Sequence, residues 1–161
     1  EPNGSFQFYD KRHLFGFAGE DKHYAAGTEH LITTIDKWRI KPLICYDLRF
    51  PVWSRNRKDY DVLLYVANWP DARIEAWKTL LKARAIENMS YVVAVNRVGE
   101  DGNGIKHSGD SLVIDPKGNI ILEFTPYEEG IKTVQIEYDQ VIGLREKFPA
   151  MDDADDFEIK I

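Results

Sequence analysis

The chain reads as an α/β protein organised on a buried sheet. Three observations carry that reading. Val62-Leu63-Leu64-Tyr65-Val66-Ala67 and Tyr91-Val92-Val93-Ala94-Val95 are unbroken apolar, β-forming runs, the pattern of strands covered on both faces. Between them Ile74, Trp77, Leu81, Arg84 with Ala85, and Asn88 recur at helical spacing. Strand, helix and strand joined by short connections form a βαβ unit, so the two strands are predicted to lie parallel in one sheet. At 161 residues, 43% of them hydrophobic, the chain suits one domain with a real core.

Phe6–Tyr9 reads as a short aromatic strand with nothing ahead of it to pair with, which hints at a larger assembly. The stretch from Gly16 to Gly27 lacks periodicity and is expected to be a loop. Leu31–Ile35 and Trp38–Ile44 are predicted as a hairpin across Asp36-Lys37. Phe50-Pro51 then opens a short helix to about Arg57, since proline suits a first helical position. Asn96 to Gly104 reads as a turn-rich loop; its glycines lack the Lys-Ser/Thr that a phosphate loop needs. Ser111–Asp115 and Asn119–Phe124 make a hairpin across Pro116-Lys117-Gly118. Ile131–Ile136 is predicted as a strand and Tyr138–Phe148 as a helix, before an acidic extension over 149–161. In that extension Phe157, Ile159 and Ile161 alternate, as a strand added to a neighbour would.

The net charge of −6 argues against nucleic acid as a partner, because phosphate binding needs a concentrated basic surface. No apolar run approaches the roughly 18 residues of a membrane span. No secretory leader is legible in Glu1-Pro2-Asn3-Gly4-Ser5, so cytoplasm is the default expectation. On that reading the sequons at Asn3 and Asn88 are coincidental. One cysteine permits neither an internal disulfide nor a Cys-rich zinc site.

That cysteine, Cys45, falls where a strand gives way to a turn and then a helix. Free backbone N–H groups at such a turn suit a thiolate or an oxyanion. A lone cysteine is equally read as a small buried hydrophobe. A nucleophile needs partners. Four histidines, His13, His23, His30 and His107, offer a Cys–His thiol hydrolase or acyltransferase. Lys11 offers a fixed cation that lowers a thiol pKa, or is simply a solvated charge beside Asp10 and Arg12. Glu20 would orient such a lysine, or is a loop carboxylate.

Tyr9-Asp10-Lys11-Arg12-His13-Leu14-Phe15, Gly19-Glu20-Asp21-Lys22 and Ile44-Cys45-Tyr46-Asp47-Leu48-Arg49-Phe50-Pro51 together resemble the nitrilase (carbon–nitrogen hydrolase) superfamily. Asn68-Trp69-Pro70, Ala83-Arg84-Ala85-Ile86-Glu87-Asn88, Asn96-Arg97-Val98-Gly99 and Gly109-Asp110-Ser111 extend the resemblance, which reaches to about Phe148 and is nearest the omega-amidases of 2-oxoglutaramate. It implies a four-layer α-β-β-α sandwich that associates through its helices as a homodimer or higher homo-oligomer. It implies a small carboxylate-bearing amide as substrate, with neither metal nor cofactor. Cys45 would form a thioester, Lys11 and the Tyr46 N–H would hold the oxyanion, and Glu20 would support them. Arg49, Asn68 and Trp69 would line the pocket, with Arg49 clamping a carboxylate. The family's general-base Glu lies upstream of its Lys, where this sequence offers only Glu1 and Asp10. The chain is therefore expected to be the later part of such a domain, its first part absent or supplied by another chain. A catalytically incomplete partner domain is the non-enzymatic alternative.

Overall fold

The computed structural model describes residues 4–160; the sequon at Asn3 and the end of the alternating pattern at Ile161 lie outside them. In chain order the strands are β1 (Thr33–Ile35), β2 (Trp38–Ile44), β3 (Val62–Ala67), β4 (Tyr91–Asn96), β5 (Val98–Glu100), β6 (Lys106–Ser108), β7 (Leu112–Ile114) and β8 (Ile120–Glu123). The helices are α1 (Pro51–Ser54), α2 (Ile74–Asn88) and α3 (Tyr138–Lys147). Six strands form a mixed sheet in the order β1-β2-β3-β4-β7-β8, and β5 pairs with β6 apart from it. β2, β3 and β4 run parallel, so the predicted βαβ unit holds, and both predicted hairpins are present.

α2 covers one face of the sheet. Its Trp77, Leu81 and Ala85 are buried together with Leu43, Leu63, Tyr65, Val92 and Ala94 in the main core. The helical stripe read from the sequence is thus the core stripe, including the polar Arg84 and Asn88. Both hold neighbouring backbone from inside the core. Arg84 donates to the Leu48 carbonyl at 2.7 Å, and Asn88 accepts from the Asn56 N–H at 2.8 Å. With its side chain sealed inside, Asn88 is no glycosylation acceptor. On the other face α3 places Val141 against Val62 and Tyr91, and Arg145 reaches Asp61 at 2.8 Å. Farther along, Val66 and Val95 stay half exposed. The described residues thus place α2 over one face of the six-stranded sheet and α3 over part of the other.

Three expectations are corrected. Phe6–Tyr9 joins no ladder: Phe6 and Phe8 are exposed, and the Tyr9 hydroxyl instead donates to Asp47 and accepts from Trp53 Nε1. A phenol with those partners fixes the segment as an extended arm rather than a strand. Ile131–Ile136 is no strand either; Ile131 is 95% exposed and Lys132 reaches back to the Glu123 carbonyl. The helix after Pro51 stops at Ser54, because the Asn56 amide binds the Tyr60 and Asn88 carbonyls instead of continuing it. The acidic extension is also less loose than its charge suggested, with Ile159 packed against the main core. No helix among the described residues is long and apolar enough to cross a membrane.

Candidate active site

β2 ends at Ile44, and the next residue turns sharply. Cys45 has φ 45°, a left-handed conformation that a side chain adopts only at a cost of about 1–2 kcal/mol. The chain then runs through a 3-10 turn, Cys45–Arg49, into α1. This is the strand, turn and helix expected around the cysteine. Two buried side chains hold it. Arg84 fixes the Leu48 carbonyl from α2, and Asp47 folds back so that its carboxylate accepts the Ile44 N–H at 3.1 Å.

Asp47 does more than cap the turn. Its fully buried carboxylate accepts the His13 N–H at 2.9 Å, meets His13 Nδ1 at 2.9 Å and takes the Tyr9 hydroxyl hydrogen at 2.9 Å. Tyr9 and His13 flank Lys11. One carboxylate thus ties the arm that carries the lysine to the turn that carries the cysteine. Sequence reading quoted Asp47 only inside a motif, and the wide separation of its partners along the chain hid the role.

Lys11 Nζ lies 2.5 Å from Glu20 Oε2, which also accepts the Phe15 N–H at 2.6 Å. Burial works against the Glu20 charge, yet those two hydrogen bonds and the Lys11 charge outweigh it and hold the carboxyl below its ordinary range. Lys11, Glu20 and Cys45 face one cavity of about 580 Å³. The thiol is pulled two ways. Burial pushes the Cys45 pKa up, and although the Lys11 charge and the Tyr46 N–H pull it down, burial wins. Cys45 therefore rests as the thiol and needs a proton acceptor to react.

None of the four histidines hydrogen-bonds Sγ, which points its hydrogen toward the Asn68 carbonyl at 3.9 Å. His13 is held by Asp47 and stacks on Phe50. His30 stacks on Trp53 around a separate cavity, its pKa lowered to about 4 by burial and the Lys41 charge. His23 lies on the wall beside Lys11. A Cys–His dyad is not what this geometry builds.

Next to the sulfur a second cavity of about 170 Å³ opens, lined in part by Tyr46, Arg49, Asn68 and Trp69. Trp69 is buried as its floor. Asn96 holds the Trp69 backbone on both sides, accepting its N–H at 2.7 Å and donating to its carbonyl at 3.0 Å. The Arg49 guanidinium lies 5.0 Å above the Trp69 ring and that of Arg73 5.5 Å above Phe15. Arg97, Asp101 and His107 complete the wall. They come from the link between β4 and β5, the turn after β5, and β6; residues 96–104 of this stretch were expected to be a turn-rich loop, and β5 lies within them. The hairpin is closed by Asp101 Oδ1, which accepts the Asn103 and Ile105 N–H groups. The cavity is lined by three arginines against one carboxylate, and that carboxylate is already engaged. Among the described residues no three His, Cys, Asp or Glu side chains gather as metal ligands.

The sequence pattern of the carbon-nitrogen hydrolase family matches residues 1–146. The chain belongs to the carbon-nitrogen hydrolase family. It is 53% identical over 159 residues to the omega-amidase YafV of Escherichia coli, covering 99% of this chain and 62% of that one. To the 2-oxoglutaramate amidase of Bacillus subtilis it is 40% identical over 147 residues, covering 90% and 56%. A crystal structure of a CN-hydrolase superfamily protein from Xanthomonas campestris, with an arsenic adduct in its active site, superposes with TM-score 0.95 at 50% identity, covering 99% and 63%. Saccharomyces cerevisiae Nit3, of the nitrilase superfamily, shares the fold at TM-score 0.72 and 24% identity, covering 86% and 51%. The fold is thus the α/β sandwich of the nitrilase superfamily, and this carbon-nitrogen hydrolase chain spans about three-fifths of the relatives' length.

Proposed function

We propose that the protein hydrolyses the terminal amide of a small carboxylate-bearing amide of the 2-oxoglutaramate type, through a thioester on Cys45. The observation that carries the proposal is the meeting of Cys45, on its strained turn, with the Glu20-bound Lys11 in one cavity beside an arginine-lined one. The names of the Escherichia coli and Bacillus subtilis relatives agree with it.

In this mechanism Cys45 Sγ loses its proton to a base and attacks the amide carbonyl. Negative charge gathers on the carbonyl oxygen, where the Lys11 ammonium and the Tyr46 N–H stabilise it. The C–N bond breaks, the nitrogen takes a proton and leaves as ammonia, and the acyl group stays on sulfur. Water then cleaves the thioester, releasing the acid and restoring the thiol. Glu20 keeps Lys11 in place; with Oε2 already accepting from Lys11 and the Phe15 N–H, it is a poor base. No other carboxylate lines the cavity of Lys11 and Cys45 among the described residues. The proposal therefore assigns the base to a carboxylate brought by another part of the protein or by a second chain, as in the family.

Intact-mass measurement of the full-length protein, acid-quenched during turnover of 2-oxoglutaramate, tests the reading. An acyl adduct on Cys45 with stoichiometric ammonia is the expected result; ammonia release without any adduct would overturn the thioester route. Lys11→Met is expected to lower kcat about 10²–10³-fold, the usual loss for one oxyanion donor, with KM little changed. Arg49→Ala should raise KM about tenfold for the carboxylate-bearing amide and leave a neutral amide unaffected. Equal effects on both substrates would remove Arg49 from substrate recognition.

A further inference from the structure

We infer that His107 is a specificity-determining residue of the cavity beside Cys45, donating a hydrogen bond from Nε2 to a neutral oxygen of a 2-oxo acid amide. The inference rests on the amidase reading above and adds to it a residue and a reason for preferring 2-oxo over 2-amino acids.

His107 lies on β6 opposite Gly99, only 2% exposed, with its ring on the wall of the cavity that holds Cys45. A histidine buried merely for packing has its ring nitrogens paired. Here Nδ1 is sealed without a hydrogen-bond partner among the described residues. The neutral ring carries one hydrogen, and a sealed N–H without an acceptor is harder to accommodate than a sealed lone pair. The hydrogen therefore belongs on Nε2, the polar atom left to meet a ligand.

The neighbours define what that ligand offers. Asp101 spends Oδ1 on two backbone N–H groups, and Arg97 Nη2 donates to the Glu100 carbonyl at 2.9 Å. Arg49 and Arg73 lie over aromatic rings with no carboxylate partner among the described residues, leaving N–H edges for an anion. A carboxylate goes to the arginines. The remaining directional donor, His107, then suits an uncharged acceptor beside that carboxylate, which a 2-oxo group supplies. A 2-amino acid places an ammonium among three guanidiniums and opposite a donor, and both contacts repel it.

The test uses the full-length protein with His107→Phe and His107→Gln, assayed on 2-oxoglutaramate and on pentanamide, a neutral amide of equal chain length. His107→Phe is expected to raise KM for 2-oxoglutaramate about tenfold with kcat within about twofold, the change one hydrogen bond typically makes, and to leave pentanamide unaltered. His107→Gln, which keeps an N–H donor, should recover most of the loss. Should phenylalanine prevent folding, His107→Ala replaces it with the same expectations. Equal effects on both amides, a fall in kcat alone, or no effect would overturn the inference. Titration of 2-oxoglutarate followed by tryptophan fluorescence separates it from the amidase reading. If the wild-type protein hydrolyses neither amide, that reading fails by itself. About tenfold weaker 2-oxoglutarate binding in His107→Phe still supports the histidine's role, and unchanged binding overturns it.

Discussion

Cys45→Ala is expected to abolish amide hydrolysis, a fall of at least about 10⁴-fold, while leaving the folded protein intact. Alanine loses the sulfur but keeps the same left-handed strain at φ 45°, so stability should change little. Ammonia release under saturating substrate and a thermal melt check both halves; retention of more than about 1% of the wild-type rate would remove the sulfur from the mechanism. The titration of the thiol gives a second handle. Burial raises its pKa, so alkylation by iodoacetamide should speed up with pH about a midpoint above that of an ordinary thiol. Removing the cation that favours the thiolate, as in Lys11→Met, should move that midpoint higher still. The linkage has one sign: a raised folded pKa makes the buried thiol a stabilising group below the ordinary thiol pKa. That contribution fades as pH climbs toward the folded pKa.

Asp47→Ala should be the most destabilising single change around the site, at about 3–5 kcal/mol. The carboxylate is completely buried, and its loss strands the Ile44 and His13 N–H groups and the Tyr9 hydroxyl. Activity should fall at least as far as in Lys11→Met, since the arm bearing the ammonium loses its anchor. Asp47→Asn keeps the shape but turns one acceptor into a donor, and should be milder. Chemical denaturation gives the stability, and the pH profile of Cys45 alkylation separates the two roles. If Asp47 positions Lys11, its variants shift that profile upward as Lys11→Met does. A destabilised protein with an unshifted profile would reduce Asp47 to a packing residue.

The parts of this molecule legible beforehand are those whose signal is local. β3, β4 and α2 declared themselves because apolar runs and helical spacing act over a few residues, and the turn at Cys45 followed from a strand meeting Phe50-Pro51. The aromatic run Phe6–Tyr9 looked like a strand because side-chain type alone hides where a phenol finds its partner. The hairpin of β5 and β6 was invisible for the opposite reason: Lys106-His107-Ser108 is polar and carries no alternation. Arg73 and Arg97 were not recognised as neighbours of the cysteine, and His107 was named only as one of four possible bases, not as a wall of the cavity. The protonation state of the thiol was not legible either. It depends on a contest between burial and a nearby cation, and only coordinates decide which prevails.

The double attachment at Asp47 has a consequence for how such proteins diverge. Anchors at Tyr9 and His13 hold the lysine-bearing arm from both sides, and the Gly27 N–H adds a third by donating to the Lys11 carbonyl at 2.9 Å, so variety is best borne at residues 24–26, beside the cavity. Substitutions there can reshape the entrance for new substrates while the reactive pair is inherited unchanged. Drift at position 47, by contrast, would strike both partners at once, so ancestry should tolerate variety at the mouth and almost none at this hinge pin.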